Sequence, residues 1–167
     1  MTPEAEQPAV EAPKTPADGP FTLHDDQGRI SEEGFLRNGV LDGETLVYTR
    51  GRIAARYQYR EGTRHGDAQF YSDAGSVTAE GPYHNGLQHG EWAYFDERGT
   101  VVRRVLYRAG DLQGRAVTFY PSGKPYEFCD YRAGLRDGEQ LTYSEQGKLI
   151  GRQFYRAGKP VDDPKKP

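Results

Sequence analysis

A glycine-marked repeat of about 24 residues constrains the fold of this chain more than any other feature of its sequence. The first glycine of each unit recurs every 23 or 24 residues, at Gly39, Gly62, Gly86, Gly110, Gly134 and Gly158. A second glycine follows four residues later, at Gly43, Gly66, Gly90, Gly114 and Gly138. A third set keeps the same period, at Gly28, Gly51, Gly75, Gly99, Gly123 and Gly147. Because glycine adopts positive φ without a steric penalty, these columns predict chain reversals at fixed places in every unit.

The segments between the glycines have the length and composition of β-strands. They are about 5–8 residues long and rich in Tyr, Phe, Val, Ile and Thr, which suit a pleated sheet. In each unit one strand follows the second glycine, and another precedes the next first glycine. No stretch shows a 3.6-residue apolar period over the length of a helix. The sequence therefore predicts an all-β fold, an elongated single-layer antiparallel β-meander of stacked β-hairpins.

The composition fits a thin array better than a thick core. Hydrophobic residues make up 35% of the chain, aromatic residues 12%, and the mean hydropathy is −0.89. In a repeat array each unit contacts only its neighbours, so a modest apolar content is sufficient. We therefore expect no thick two-layer core with room for a deep pocket.

The two termini depart from the repeat. Residues 1–20 contain five prolines among Ala, Glu and Thr, and such a segment buries too little apolar surface to offset its ordering entropy. They are predicted to form a disordered arm, followed by the repeat array over residues 21–158. After Gly158, Pro160 and Pro164 stand where the next strand is due, and proline cannot donate a hydrogen bond to a sheet. Residues 159–167 are therefore predicted to be a tail outside the sheet.

Three apolar columns repeat with the glycines. The first strand of the units carries Tyr48, Tyr71, Phe95, Phe119 and Tyr143. The second strand carries Tyr59, Tyr83, Tyr107, Tyr131 and Tyr155 near its end, and Ile30, Ile53, Val77, Val101, Pro125 and Leu149 near its start. Because side chains alternate between the two faces of a strand, this spacing predicts that the three columns form one continuous spine on one face.

Two charged columns stand next to the glycines. One residue after the second glycine lie Glu44, Asp67, Glu91, Arg115 and Glu139. Two residues before the first glycine lie Arg37, Arg60, His84, Arg108, Arg132 and Arg156. A row of arginines can bind phosphates, but the favoured interpretation is a solvated surface of cross-strand ion pairs, each worth about 0–1 kcal/mol.

Irregular aromatic residues outside the predicted spine are the candidates for partner binding. They are Phe70, Trp92, Tyr94, Tyr120, Tyr126 and Phe128. By alternation most of them fall on the face opposite the spine, and neighbouring strands are only about 4.8 Å apart. Clustered exposed aromatic residues are typical of the centre of an interface. The competing interpretation is that this face packs through sheet curvature or self-association.

No arrangement of residues predicts catalysis, a cofactor or a metal site. The chain has no nucleophile–base set, and its G-x-x-x-G pairs lack the Lys-Ser/Thr of a phosphate-binding loop. His65 and His89 occupy a turn position that holds Asp or Gln in other units, which indicates side-chain bonds to the loop backbone. Cys129 is the single cysteine, and its place in a strand predicts a small buried residue. We expect a protein without enzymatic activity, cofactor or metal.

The distribution of charge argues against nucleic-acid and lipid partners. The net charge is −3, and the acidic residues of the N-terminal arm account for most of it, so the array is nearly neutral. It lacks the basic excess expected for nucleic-acid binding and has no basic amphipathic segment for a membrane surface. No basic region followed by an apolar run resembles a secretory signal, so a native start at Met1 predicts a cytoplasmic protein.

The motif Tyr83-x-Asn85-Gly86-x-x-His89-Gly90-x-Trp92-x-Tyr94, closed by Gly99, resembles the MORN repeat, and residues 21–158 are similar to its bacterial variant. This resemblance implies stacked β-hairpins in an elongated, twisted sheet. Proteins of that variant are often classed as YwqK-type antitoxins, some of them immunity proteins for secreted toxins. The units here depart from the motif, since only one has the Trp and three of five lack the His. The resemblance implies no catalytic residues.

Two functions remain open at this point. The first is a protein-binding module, an antitoxin or immunity protein that neutralises a cognate toxin by direct binding. The second is a structural scaffold or a membrane-peripheral repeat protein. Fold alone does not decide between them, because repeat arrays of this kind serve all these roles. A toxin gene beside this one would favour the first.

Overall fold

The computed structural model describes residues 18–164, which form one antiparallel sheet of 17 strands with no helix. The strands are β1 (Gly19–His24), β2 (Ile30–Arg37), β3 (Val40–Leu41), β4 (Gly43–Thr49), β5 (Arg52–Arg60), β6 (Thr63–Arg64), β7 (Gly66–Tyr71), β8 (Val77–His84), β9 (Leu87–Gln88), β10 (Gly90–Phe95), β11 (Val101–Arg108), β12 (Asp111–Leu112), β13 (Gly114–Phe119), β14 (Pro125–Arg132), β15 (Leu135–Tyr143), β16 (Leu149–Arg156) and β17 (Lys159–Val161). The predicted all-β meander is confirmed. Within the described residues no helix could span a membrane.

The sheet is a chain of hairpins joined edge to edge. Within a unit the two long strands pair along their length, as in β4 with β5 and β10 with β11. Between units the pairing is usually shorter, as in the two-residue pairing of β8 with β10, but β14 and β15 pair over five residues. Successive hairpins are therefore joined by backbone pairing as well as by turns and side chains.

Two-residue turns join the units at the first glycine of the repeat. Asn85 and Gly86 have φ of 50° and 81°, and Ala109 and Gly110 have φ of 50° and 88°. Positive φ at both central residues defines the type I′ turn, whose twist matches that of the flanking strands. The chain then continues into the two-residue strands β3, β6, β9 and β12, which the sequence did not predict.

The single 23-residue step has a local cause. In that unit Arg50 and Gly51, with φ of 53° and 76°, join β4 to β5 by a two-residue turn. In the later units the corresponding loop is longer, as at Asp96–Thr100, where the Asp96 N–H donates to the Thr100 carbonyl at 3.0 Å. The Asp96 carboxylate also accepts the N–H groups of Arg98 and Thr100.

Side chains before the second glycine link three of the hairpins to the next one. Asp42, Gln113 and Asp137 accept the backbone N–H of the residue before the following first glycine, at 3.3, 3.2 and 3.1 Å. The prediction of bonds to the backbone of the same loop is thus wrong, because these bonds reach the next type I′ turn, and among the described residues the His65 and His89 side chains form none. The three bonds cross between units, so they fix the spacing of neighbouring hairpins.

The ends of the array differ from the predicted boundaries. Strand β1 begins at Gly19, inside the segment assigned to the N-terminal arm, while residues 1–17 lie outside the described residues. Strand β17 extends the sheet beyond Gly158, so the expectation that the chain leaves the sheet there is wrong. Pro160 is tolerated because β17 is an edge strand, where a missing N–H need not face a neighbour.

A β-bulge in every hairpin decides which side chains share a face. In the hairpin of β10 and β11, Tyr94 pairs with Arg103 but Phe95 pairs with Val101. Val102 is thus an extra residue in β11. Five other hairpins show the same shift, those of β1 with β2, β4 with β5, β7 with β8, β13 with β14 and β15 with β16. One extra residue inverts the alternation of side chains along the strand.

The predicted single apolar spine is therefore wrong. Val101 faces the same side as Phe95, with which it pairs, whereas Tyr107 packs on the other side against the buried core. We call the side that carries Tyr107 and Trp92 the aromatic face, and the opposite side the groove face. The columns of the sequence are real, but the bulge distributes them over both faces.

The core lies on the aromatic face and is built from small and large residues side by side. Its buried members are Ala55, Tyr57, Ala68, Ala79, Trp92, Val105 and Ala116. The Trp92 indole lies over Gly81, where a Cβ atom would be 2.5 Å from the ring. The rings of Tyr83 and Tyr107 make edge-to-face contacts with the indole, and their centroids lie 5.5 and 6.0 Å from that of Trp92. A single-layer sheet thus buries a core beneath its own aromatic side chains.

Candidate partner-binding face

The structure separates the six aromatic residues that the sequence grouped as a partner-binding cluster. Trp92 belongs to the buried core of the aromatic face, and Phe70 and Tyr94, which are half-buried, pack against it. Tyr120 and Tyr126 meet edge to face near the loop that joins β13 to β14, and Phe128 lies on the groove face. The six residues do not form one exposed cluster, because the bulge and the packing around Trp92 place them in three environments.

Trp92 is the clearest departure from the expected exposed cluster. Its side chain is 1% exposed, and its indole N–H donates to the Pro82 carbonyl oxygen at 3.1 Å. Phe70 packs on it with ring centroids 6.0 Å apart. The Tyr94 hydroxyl lies 3.1 Å from that of Tyr107, and burial, reinforced by this hydrogen bond, raises the pKa of Tyr94. These contacts make all three residues structural.

A groove of about 890 Å³ crosses the groove face over the hairpins from β4 to β11. Its charged and amide side chains are Glu44, Arg56, Gln58, Asp67, Gln69, Glu80, Glu91 and Arg104. Its apolar side chains include Pro82, Ala93, Phe95 and Val101. Four carboxylates against two guanidinium groups make this groove acidic, although the array as a whole is nearly neutral.

The groove carboxylates differ in how well they are compensated. Glu44 forms an ion pair with Arg56 at 3.6 Å and accepts the Gln58 amide at 3.4 Å, and Glu80 accepts the Gln69 amide at 3.1 Å. Within the part of the chain that the structure describes, Asp67 and Glu91 have neither an ion-pair nor a side-chain hydrogen-bond partner. The predicted cross-strand ion pair is therefore present in some units and absent from the units of Asp67 and Glu91.

The acidic stretch ends where the sign of the column changes. Arg115 follows Glu91 one unit later and forms a two-pronged contact with Asp130, at 2.8 and 2.9 Å. The guanidinium holds the pKa of the Asp130 carboxyl below its usual value. In the following unit Glu139 pairs with Arg152 at 3.2 Å. Beyond β11 the column therefore holds one carboxylate, Glu139, and Arg152 neutralises it.

A second, apolar concavity lies on the same face between the last two hairpin loops. It has a volume of about 390 Å³ and is lined by Lys124, Pro125, Phe128, Tyr143, Ser144, Gln146 and Gly147. Phe128 and Tyr143 meet edge to face with ring centroids 5.7 Å apart. The Tyr120 hydroxyl donates to the Tyr143 carbonyl oxygen at 2.9 Å. The Tyr126 ring, which is 38% exposed, packs against the Tyr120 ring. We call this concavity the aromatic pocket.

The edge formed by the type I′ turns has a different character. Its arginine column includes side chains that are largely exposed, 65% for Arg37 and 74% for Arg132. Between the arginines, the residue after the first glycine is an exposed aliphatic side chain in three units, Val40, Leu87 and Leu135. Basic and aliphatic groups thus alternate along this turn edge.

Two further features of the sequence are the histidines and the single cysteine. His65, His84 and His89 lie side by side, with ring centroids 4.8 and 5.6 Å apart. No group of three His, Cys, Asp or Glu side chains among the described residues is placed to hold a metal ion. Cys129 is buried on the aromatic face, as its strand position predicted, and burial raises the pKa of its thiol.

The sequence matches the family model for the MORN repeat variant at residues 64–85 and 136–159. Each match spans one hairpin, from just before a second glycine to the next type I′ turn. MORN repeats are generally protein-binding or membrane-binding modules. No curated protein matches the chain.

One similar solved structure is titled "Crystal structure of GtfA/B complex bound to UDP and GlcNAc". Its sequence is 12% identical, the alignment covers 84% of this chain and 24% of that chain, and the TM-score is 0.27. The present chain thus spans less than a quarter of the length of that protein. Neither fold nor function follows from a similarity at this level.

Proposed function

We propose that this chain is a non-enzymatic protein-binding module whose groove face receives the partner. The observation that carries the proposal is the aromatic pocket beside the acidic groove, two concavities on the same face of an otherwise shallow sheet. A pocket with aromatic walls accepts an apolar side chain of a partner, and such anchors dominate the free energy of most interfaces. The charged groove on the same face can bind the polar and charged groups of the partner around that anchor.

The size of the sheet is compatible with a stable complex. A standard interface buries about 1,600 Å² in total, about half of it on each partner. Six hairpins at about 10 Å each give a face about 60 Å long, which is larger than such an interface needs. A partner that covers both the groove and the pocket would span most of this length.

We further propose that the partner is a toxin which this chain neutralises by covering its active surface. The support is the resemblance of the repeat sequence to antitoxins of the YwqK type. Neutralisation by occlusion needs no catalytic residue on this chain, only surface complementarity. The partner should therefore be harmful when expressed alone and harmless when expressed together with this chain.

Replacing Phe128 with alanine should weaken partner binding by about 2 kcal/mol, or about thirtyfold, because it removes one wall of the aromatic pocket. The partner is first recovered from the native host with the full chain as bait and identified by mass spectrometry. Its affinity for the wild-type chain and the variant is then measured by calorimetry, and its toxicity by growth with and without this chain.

The matched control for Phe128→Ala is Ile150→Ala, because Ile150 is an apolar side chain that is 60% exposed and does not line the pocket. The control should bind like the wild-type chain. Equal affinity of the Phe128→Ala variant would contradict the use of the pocket. A partner that leaves growth unaffected would contradict the toxin assignment alone.

A second candidate, a membrane-peripheral scaffold, is favoured by the turn edge. Exposed aliphatic side chains among arginines can insert between acidic headgroups, and each basic residue near the surface adds about 1 kcal/mol. We expect a Leu87→Ser/Leu135→Ser variant to lose binding to phosphatidylserine vesicles in co-sedimentation, if the edge serves this role. Failure of the wild-type chain to sediment with such vesicles would remove this candidate.

A further inference from the structure

We propose that the acidic groove holds a cationic segment of the protein partner, with lysine or arginine side chains about 10 Å apart. The spacing comes from the repeat. Glu44, Asp67 and Glu91 occupy the same position in three consecutive hairpins, one residue after the second glycine. Equivalent positions are two strands apart, which is about 10 Å at the usual strand separation. This inference rests on the proposed function and specifies the chemistry of the partner.

The charges of the groove select a cation. Asp67 and Glu91 are exposed, and in the described part of the chain neither has a side-chain hydrogen bond or an ion pair. Glu44 is weakly compensated, with the Arg56 guanidinium at 3.6 Å and the Gln58 amide at 3.4 Å. Two uncompensated carboxylates and a third weakly compensated one repel each other. A partner with cations at the matching interval removes this repulsion and gains charge-assisted hydrogen bonds.

The groove also accommodates the stems of long basic side chains. Pro82 pairs with Asp67 across the strands, and Ala93 lies beyond Glu91 on the same face. Phe95 and Val101 extend this apolar surface toward the loops. Lysine and arginine side chains pack their methylene groups on apolar surface and keep the charge at the polar end. The apolar surface of the groove can contact the methylene groups of such side chains, while the carboxylates bind their charged ends.

Two other occupants fit the groove less well. Carboxylates about 10 Å apart cannot share one metal ion, whose oxygen ligands lie about 2.0–2.6 Å from it. An acidic concave surface repels anionic headgroups, so a membrane is not the ligand here. The acidic groove ends after β11, because in the next unit Arg115 and Asp130 form an ion pair at 2.8 Å and neutralise each other. The cationic segment should therefore extend over the hairpins from β4 to β11.

The test uses fluorescein-labelled synthetic peptides and the full chain. One peptide carries lysine at every third residue of a proline-rich sequence, because the polyproline II helix has three residues per turn and places these lysines on one side about 9 Å apart. A second contains the same lysines in one block, and a third has glutamate in place of lysine. We expect fluorescence anisotropy at low salt to show binding of the spaced peptide, weaker binding of the block peptide and none of the acidic peptide.

Two double variants locate the site. Asp67→Asn/Glu91→Gln should weaken binding of the spaced peptide by about tenfold or more. Glu97→Gln/Glu145→Gln removes the same charge from exposed loop positions outside the groove and should leave the affinity within about twofold of wild type. Sedimentation of each variant shows whether it remains folded and whether the chain associates with itself.

Several outcomes would overturn the inference. These are equal loss of affinity in both double variants, retention of affinity in the groove variant, or a preference for the acidic peptide. Self-association that is abolished by the groove variant, without peptide binding, would make a second copy the occupant. If the native partner binds the groove variant normally but not Phe128→Ala, the proposed function stands and this inference fails.

Discussion

Replacing Trp92 with alanine is expected to lower the free energy of unfolding by about 3–5 kcal/mol, the usual cost of removing a buried tryptophan. The indole is 1% exposed, spans the space above Gly81 and donates to the Pro82 carbonyl oxygen. Its loss opens a cavity between Tyr83 and Tyr107 that a single-layer sheet cannot fill from a second layer. The measurement is denaturant unfolding followed by far-ultraviolet circular dichroism.

The control for Trp92→Ala is Ile150→Ala, since Ile150 is a large apolar side chain that is 60% exposed. Its unfolding free energy should change by no more than about 0.5 kcal/mol. Repeat arrays can unfold in parts, so the transition should be followed over the whole denaturant range. A Trp92→Ala variant as stable as the control would show that the aromatic face does not depend on this residue.

Replacing Gly81 with alanine is expected to destabilise the chain by about 1–3 kcal/mol, because the new methyl group overlaps the Trp92 ring. The added Cβ would be 2.5 Å from two atoms of the indole, so the ring must move. Trp92 is the only tryptophan, and its fluorescence therefore reports directly on this displacement. We expect a red-shifted emission maximum in the folded variant and a lower midpoint of denaturant unfolding.

Gly151→Ala is the matched control for Gly81→Ala. Gly151 is also a strand glycine without positive φ, and its nearest neighbour, the Thr142 Cβ, would be 3.4 Å from the added atom. Alanine should be tolerated there or should stabilise the chain by about 0.4–1 kcal/mol through the unfolded state. In the Trp92→Ala background, Gly81→Ala should lose most of its effect, with a coupling of about 1 kcal/mol or more. Additive effects would contradict the assigned contact.

The turns and strands could be predicted from sequence because their causes are local. Gly86 and Gly110 stand at the second position of type I′ turns, where positive φ is required. The strands between the glycines are defined by length and composition, and the pairing follows because short turns can join only antiparallel neighbours. The bulge was not predictable in this way, because the extra residues, such as Thr78, Val102 and Tyr126, share no residue type that distinguishes them from paired residues.

The candidate site was predicted in part. Phe128 and Tyr126 lie in or beside the aromatic pocket, whereas Trp92 was placed on the wrong side of the sheet relative to Tyr107. Strict alternation carried across the bulge produced that error. One signal in the sequence could have exposed it, since Gly81 is the only additional glycine of its unit and marks space for a large neighbour.

The sequence by itself determined the repeat, the positions of the reversals and the all-β meander, because glycine columns and strand composition act through the backbone of each unit. Only the tertiary structure decided which side chains form the core and which line the groove. A single extra residue per hairpin inverts the face of every side chain beyond it. Function on a sheet depends on the face, so the acidic groove and the aromatic pocket emerged only once the register between strands was known.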